Sequence, residues 1–416
     1  MYKRQIPVED LRLGMYVVEL DRAWLGTPFD FQGFPVITED QIDALKTHCR
    51  SVYVDPDREN WQPEAAIAVS VAPPPPPKPA PPPPPRKAPA TLRGNVVYKE
   101  VTTVEKEVVA AREIYKSCED ALQQSLDNLR FTGEIDSEKL TGAVGSMTQS
   151  IQRNPDAMML LNTLRQKGAY ELGRAMDTSI LMITFGRFLQ FPKERLEVLG
   201  LAGMLLDVGK TKLPDAILKK NDMLSPEEYE QVKAHVIHSV DLVRAAGALP
   251  PGVADIVLTH HERQDGSGYP NGIQGDAIPI DGAIAALVDS FSALTSSRPY
   301  AEQASPSNAL NLMHKLRGKL FHEALVEQFI QCIGIYPVGG AVELNSGEVA
   351  IVIAQNLVRR LQPRVMVILD SDWKPIHPQK ILDLVKGPRT STDEPYRIRR
   401  TLPKDKLPID LSEFFL

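Results

Sequence analysis

Cysteine is scarce in this 416-residue chain, and its three copies lie far apart, at Cys49, Cys118 and Cys332. No two of them have the short spacing of a zinc site, and they build no recognisable disulfide framework. Such sparse, dispersed cysteine is typical of proteins from a reducing compartment. We therefore expect a cytoplasmic protein.

Long apolar runs and an excess of positive charge are also missing. No segment approaches the roughly 20 apolar residues of a membrane-spanning helix, and residues 1–17 lack the uninterrupted apolar stretch of a signal peptide. The net charge is −6 at pH 7, whereas binding to nucleic acid requires clustered Lys and Arg. The sequence predicts neither membrane insertion nor a nucleic-acid polymer as partner.

Proline, in contrast, is concentrated in one place. Five consecutive prolines occupy residues 73–77 and five more occupy 81–85, which favours an extended polyproline II spacer over residues 63–92. Before it, strand-like pieces at 15–18 and 51–55 flank a short capped helix at 38–45. Residues 1–62 are therefore predicted to form a small α+β domain.

After the spacer, the sequence pattern predicts helices until close to the end of the chain. Residues 93–163 begin with a long amphipathic helix, which either packs within the chain or pairs with a second copy. Residues 164–337 carry apolar positions at helical spacing and predict an all-α domain, while strand patterns at 341–344 and 365–369 predict a β-rich appendage over 338–416. The stripe of the long helix comprises Val101, Val104, Val108, Ala111, Tyr115, Cys118, Leu122, Ser125 and Leu129.

Four of the eight histidines fall in one short window of the all-α region. Ser225, Pro226 and Glu228 form the signature of a capped helix start, which predicts one helix that carries His235 about three turns from its beginning. His260 and His261 are neighbours about 100° apart on a helix. They can therefore reach a common site only from its rim or from the end of an element.

Two carboxylates lie inside apolar segments, where burial of an unpaired charge is costly. Asp207 follows the apolar run 199–206, so it needs a cation, and the candidates are Lys210 and a bound metal. Asp289 lies on a helical face of small residues, as a metal pocket between helices requires. Together with His235, His260 and His261, these carboxylates form an oxygen-and-nitrogen ligand set that suits Fe, Mn or Zn.

A simpler interpretation stays open for the same residues. In it, His235 and His260 are hydrogen-bonded core histidines and Asp207 pairs only with Lys210.

Two weaker signals of ligand binding lie further along the chain. The glycine-dense loop 265–272 can present backbone N–H groups and an aromatic ring to a ligand, and Arg298 can grip a phosphate with two hydrogen bonds.

In order along the chain, these motifs resemble those of HD-GYP domains. The similarity runs from about residue 164 to 337, and WLGTPF at 24–29 resembles a small domain often found ahead of it. The resemblance implies an all-α HD-type fold and hydrolysis of the second messenger cyclic di-GMP with two or three metal ions. The motifs are LLDVGK at 205–210, KLPDAIL at 212–218, KAH at 233–235, HHERQDGSGYP at 260–270, and residues 289–300.

The resemblance also implies roles for individual residues. Asp207 would bridge two metals, His235, His260 and His261 would hold the second metal, and Asp289 would hold the first.

Three further roles concern catalysis and substrate. Lys210 would contact phosphate and act with Asp207 in catalysis. Tyr269 and Arg298 would face the nucleotide.

This chain departs from the family pattern at the first metal. Where the family has two histidines, the chain has Arg174 and Leu206, which leaves that ion only two protein ligands, too few for a firm divalent site. We therefore expect one ion, Fe or Mn, rather than two, with His238 as an alternative source of a ligand. Ser292 and Glu302 also stand where the family often has an acid and a lysine.

These departures leave three hypotheses for function. The first is a signalling protein that binds cyclic di-GMP, or a partner such as a diguanylate cyclase or a second copy of itself, with weak or no hydrolysis. The alternative is a functional one-metal phosphodiesterase. The third is a helical scaffold that binds neither metal nor nucleotide.

Overall fold

The chain divides into two compact units, Met1–Arg86 and Lys87–Leu416. The computed structural model describes residues 4–13, 15–21, 34–36, 39–55, 92–164, 170–218, 220, 225–296, 304–356, 358–402 and 407–409. The proline runs, the WLGTPF segment, Arg298 and Glu302 lie outside these residues. The bounds given above for the spacer and its flanking domains stay predictions.

The first unit is a small α+β domain, as predicted. Its elements are β1 (Arg4–Pro7), β2 (Tyr16–Leu20), β3 (Phe34–Pro35), α1 (Glu39–His48) and β4 (Ser51–Val54). The strands form one antiparallel sheet in the order β1-β4-β2-β3, with Ile6 opposite Val52. Apolar side chains of the sheet are buried together with Ile42 and Leu45 of the helix, so one small core holds this unit.

The second unit opens with three helices, α2 (Val104–Phe131), α3 (Ser137–Arg153) and α4 (Pro155–Leu164). Helix α2 buries most of its predicted stripe against the other two, including Tyr115, Cys118 and Leu122. This confirms packing within the chain for the amphipathic helix. The prediction for Val101 is wrong, because Val101 precedes the helix and its side chain is 72% exposed.

Nine further helices follow in the described residues, and all of them except α7 and α8 contribute buried side chains to the same hydrophobic core, which confirms a mainly α domain. Glycines allow the closest approaches: a Cβ on Gly203 of α6 would lie 2.7 Å from the backbone of Ser179 in α5. The helices are α5 (Tyr170–Phe188), α6 (Lys193–Leu205), α7 (Asp215–Leu218), α8 (Pro226–Lys233), α9 (His235–Ala245), α10 (Val253–Thr259), α11 (Ile280–Thr295), α12 (Pro306–Lys315) and α13 (Glu323–Ile333).

One helical prediction needs correction. The capping box at Ser225 and Glu228 is present, but the helix that it starts ends at Lys233, and His235 is the first residue of the next helix rather than three turns into the same one. The Ala234 N–H bonds to the carbonyl of Gln231, three residues back. This tighter turn separates α8 from α9.

The chain ends in a five-stranded antiparallel sheet, which confirms the β-rich appendage. The strands are β5 (Ala341–Leu344), β6 (Val349–Ala354), β7 (Arg364–Leu369), β8 (Pro375–Asp383) and β9 (Ile398–Leu402), in the order β8-β7-β6-β5-β9. Alternate residues of a strand face opposite sides. Ile351 and Ile353 join the helical core, whereas Val352 and Val365 belong to a separate cluster on the other face.

No helix in the described part of the chain has the length and apolar character needed to cross a bilayer.

Candidate metal centre

Four of the predicted ligands converge in the helical unit. One side-chain atom each from Asp207, His235, His260 and His261 lies within 4.8 Å of every other. Asp207 follows the end of α6, His235 begins α9, and the His260 and His261 pair follows α10. The pair therefore reaches one site from the end of a helix, as its spacing requires.

Gly209 allows the segment after Asp207 to lie against α9. A Cβ at this position would be 2.1 Å from the carbonyl oxygen of His235 and 2.4 Å from the backbone nitrogen of Ser239. The Gly209 N–H donates to the Ser239 hydroxyl at 2.8 Å. Only glycine fits this contact, which sets the spacing between Asp207 and His235.

Backbone carbonyls fix the orientation of two imidazoles. His235 Nδ1 lies 2.6 Å from the carbonyl oxygen of Val232, and His260 Nδ1 lies 2.6 Å from that of Val257. A carbonyl only accepts, so both Nδ1 atoms carry the proton, and the Nε2 atom of neutral His260 presents a lone pair. His235 Nε2 is 3.2 Å from Asp207 Oδ1, and His260 Nε2 is buried with no hydrogen-bond partner among the described residues.

The charge states of these groups suit a metal ligand set. Burial lowers the pKa of His260 to about 4 and holds the pKa of His261 well below its usual value. Burial alone would raise the pKa of Asp207, but Lys210, His235 and Arg174 together hold it well below its usual value. At neutral pH the site therefore offers neutral imidazoles at His260 and His261 and an ionised carboxylate at Asp207, the forms that bind a divalent cation.

Asp289 is close to this set but pairs with an arginine of the same chain. Its Oδ1 is 2.5 Å from Arg174 Nη2, and the Arg174 Nε is 3.5 Å from Asp207 Oδ2. Arg174 projects from α5 and Asp289 from α11. Leu206, immediately before Asp207, is buried, and Ser292 has a buried hydroxyl with no hydrogen-bond partner among the described residues.

The two predicted substrate contacts that the structure describes also border the centre. Lys210 places its ammonium 2.7 Å from Asp207 Oδ2. The ring of Tyr269 stacks on His261, with centroids 4.6 Å apart and planes inclined by 24°. His238 is not among the four converging residues, and Arg298 lies outside the described residues.

The motif pattern assigns no role to Glu262. Its buried carboxylate accepts hydrogen bonds from the backbone N–H groups of Asn271 and Ile273, at 2.8 and 3.1 Å. These bonds fold the glycine-dense loop back onto the end of α10 and hold Tyr269 beside His261. The sequence does carry one signal for this role, because Glu262 is an acidic residue between the His260–His261 pair and the glycine-dense loop.

Comparison with known proteins gives two domain matches. Residues 157–325 match the HD domain family, and residues 3–140 match a domain of unknown function, DUF3391. The HD match spans the helices that carry all four converging residues.

Relatives with established names match along different shares of the chain. A cyclic di-GMP phosphodiesterase of Thermotoga maritima is 42% identical over 31% of this chain and 36% of its own. A solved HDG"Y"P protein of Bdellovibrio bacteriovorus superposes with a TM-score of 0.45 at 14% identity, covering 79% of this chain and 98% of its own. A cyclic di-GMP phosphodiesterase of Pseudomonas aeruginosa is 30% identical over 93% of this chain and 90% of its own. This near-complete match, with the ordered motifs, shows that the chain belongs to the HD-GYP family.

Proposed function

We propose that this protein is a cyclic di-GMP signalling protein that binds the dinucleotide at the Asp207 centre and hydrolyses it slowly or not at all. The observation that carries the proposal is the contact of Arg174 with both Asp207 and Asp289. An arginine is always protonated in proteins. Its guanidinium therefore supplies permanent positive charge where the family pattern places ligands of a first metal.

The remaining four residues fit one divalent ion. Three imidazole nitrogens and one carboxylate form a donor set that suits Fe or Mn. The buried Nε2 of His260, which finds no hydrogen-bond partner in the described part of the chain, is explained if it is a ligand. When bound, such an ion polarises phosphoryl oxygens and lowers the pKa of a coordinated water. We propose Asp207, His235, His260 and His261 as its ligands.

The chain's own residues account for slow turnover. Two-metal phosphohydrolases stabilise both the attacking and the leaving oxygen between their ions, and Arg174 replaces only the charge of one ion. A guanidinium has no acceptor atom and cannot be deprotonated, so it neither coordinates nor activates water. We expect a rate roughly a thousandfold below that of a two-metal relative, which corresponds to about 4 kcal/mol.

Binding of the dinucleotide depends on residues that the substitutions at the first metal site, Arg174 and Leu206, leave unchanged. The Tyr269 ring offers a face for a base, and Lys210 offers an ammonium that can turn from Asp207 to a phosphate. Arg174 adds a second cation within the site. We include Arg298 in the proposed binding set on the strength of the motif alone.

Two measurements test the proposal together. Calorimetry with cyclic di-GMP in the presence of Mn²⁺ should show binding, and incubation with Mn²⁺ or Fe²⁺ should give linear dinucleotide and GMP slowly or not at all. Turnover at rates ordinary for the family would establish a one-metal phosphodiesterase instead. Absence of both binding and turnover would overturn the assignment to cyclic di-GMP.

A further inference from the structure

Helix α8 borders the candidate centre and carries an exposed aromatic residue. None of its eight residues is buried, and Tyr229 is 47% exposed. The next helix begins with His235, one of the four converging residues. The Tyr229 ring is thus held near the metal centre by a helix that contributes nothing fully buried to the core.

A lysine connects this ring to the site. Lys233 Nζ lies 5.0 Å from the ring centroid of Tyr229 and 5.5 Å from that of Tyr269. Both distances are within the range of a cation–π contact. Because Tyr269 stacks on His261, an unbroken series of contacts leads from the exposed ring to the metal centre.

We propose that Tyr229 and Lys233 form a second nucleotide subsite, in which the Tyr229 ring stacks one purine base and the Lys233 ammonium contacts the phosphodiester. Two rings that share one cation match the chemistry of a dinucleotide, which has two bases and anionic linkages between them. Tyr269 takes the other base. The inference rests on the proposed function, because it names how the same site distinguishes a dinucleotide from a mononucleotide.

The present partner of Lys233 is compatible with this role. Its ammonium lies 2.6 Å from Glu230 Oε1, and the Glu230 side chain is 68% exposed. Exposed ion pairs of this kind contribute little to stability. A phosphate can therefore replace the Glu230 carboxylate at small cost, and the lysine stem is already held beside the two rings.

Calorimetry on the full chain with Mn²⁺ tests the subsite. Tyr229→Ala should weaken binding of cyclic di-GMP by about tenfold to a hundredfold, the usual effect of losing one base stack, while GMP binding should stay unchanged. Tyr229→Phe keeps the ring and should bind as the wild type does. Lys233→Ala should weaken dinucleotide binding and reduce its dependence on salt.

Matched controls separate the subsite from general surface effects. Phe131→Ala removes an 87% exposed ring elsewhere, and Lys116→Ala removes an exposed lysine of α2; both should bind like the wild type. Manganese content and melting temperature should be unchanged in the Tyr229 and Lys233 variants. If the wild type binds cyclic di-GMP and Tyr229→Ala binds it equally well, the subsite is wrong although the proposed function stands. If the wild type does not bind, both are wrong.

Discussion

Arg174 and Asp289 form a buried salt bridge across the candidate centre, with Nη2 2.5 Å from Oδ1 and side chains 13% and 6% exposed. The same guanidinium lies 3.5 Å from Asp207 through Nε. Burial alone would raise the pKa of both carboxyls, and Arg174 is among the groups that hold both below the usual value. Arg174 thus contributes to the ionised state of both carboxylates.

Removal of this arginine should destabilise the fold. Arg174→Met leaves the Asp289 carboxylate buried without its cation, and we expect a loss of about 3 to 5 kcal/mol in the free energy of unfolding, the usual cost of breaking a buried pair. Denaturant unfolding in EDTA measures it without interference from metal. Adding Asp289→Asn to the same background should recover part of the loss.

Arg130→Met is the matched control, because the Arg130 side chain is 56% exposed. It should change the stability by less than about 0.5 kcal/mol. Equal effects at both positions would show that Arg174 is not a buried charge partner.

A second prediction concerns Gly209. In Gly209→Ala the new Cβ would overlap the His235 carbonyl oxygen, so the segment after Asp207 must move away from α9. We expect lower stability and a clear loss of Mn²⁺ affinity, measured by calorimetry. Gly142→Ala is the control: its Cβ meets nothing within 4 Å in α3, and alanine in a helix should add up to about 1 kcal/mol. Unchanged Mn²⁺ binding in Gly209→Ala would contradict the geometry.

The loop that carries Tyr269 should depend on Glu262. In Glu262→Gln one carboxylate oxygen becomes an amide NH₂, which cannot accept, so only one of the backbone N–H groups of Asn271 and Ile273 keeps its acceptor. Hydrogen exchange at 264–275 should accelerate and cyclic di-GMP affinity should fall, while Mn²⁺ content is retained. Glu113→Gln on the exposed side of α2 should do neither. A loop that stays equally protected would argue against this anchoring.

The carboxyl of Asp156, which is not part of the metal centre, should make the stability of the fold depend on pH. This residue lies in the first turn of α4 and accepts a hydrogen bond from the Gln355 N–H, and burial raises its pKa to about 7. The folded state therefore binds the proton more tightly than the unfolded state, whose aspartate has a pKa of about 3.9. Stability from this group is present at low pH and is lost as the pH rises towards 7.

Asp156→Asn keeps an acceptor for Gln355 and removes the charge. Its melting temperature should exceed that of the wild type by several degrees at pH 8 and by less at pH 5. Asp120→Asn, at an exposed position of α2, should show no such trend. A stabilisation that is the same at both pH values would rule out titration of Asp156 as its cause.

The sequence predicted the elements whose patterns are local. The capping box at Ser225, the apolar run before Asp207 and the continuous apolar strand at 365–369 each specify their own conformation through side chains near in sequence. The break at Ala234 was missed because its cause is not local: the backbone of His235 packs against Gly209, 26 residues away in the chain. The helical periodicity of the sequence gives no sign of such a contact.

The candidate centre shows the same difference between features with local causes and features that depend on contacts distant in sequence. The ligand types and their order were readable from the motifs, but the partner of Asp289 was not, because α5 and α11 meet only in the folded chain. Arg174 stood out as a departure from the family pattern, and its contact with Asp289 required coordinates. The role of Glu262 likewise depends on a loop that returns to it from residues 271 and 273.

The number of metal ions per chain tests the central claim most directly. Elemental analysis of anaerobically purified protein should find one iron or manganese per chain, and none in His260→Ala. Arg174→His combined with Leu206→His restores both family ligands, and this variant should hold two ions and turn over cyclic di-GMP faster. Two ions per chain in the wild type would contradict the account, because Arg174 would then not occupy the place of the first.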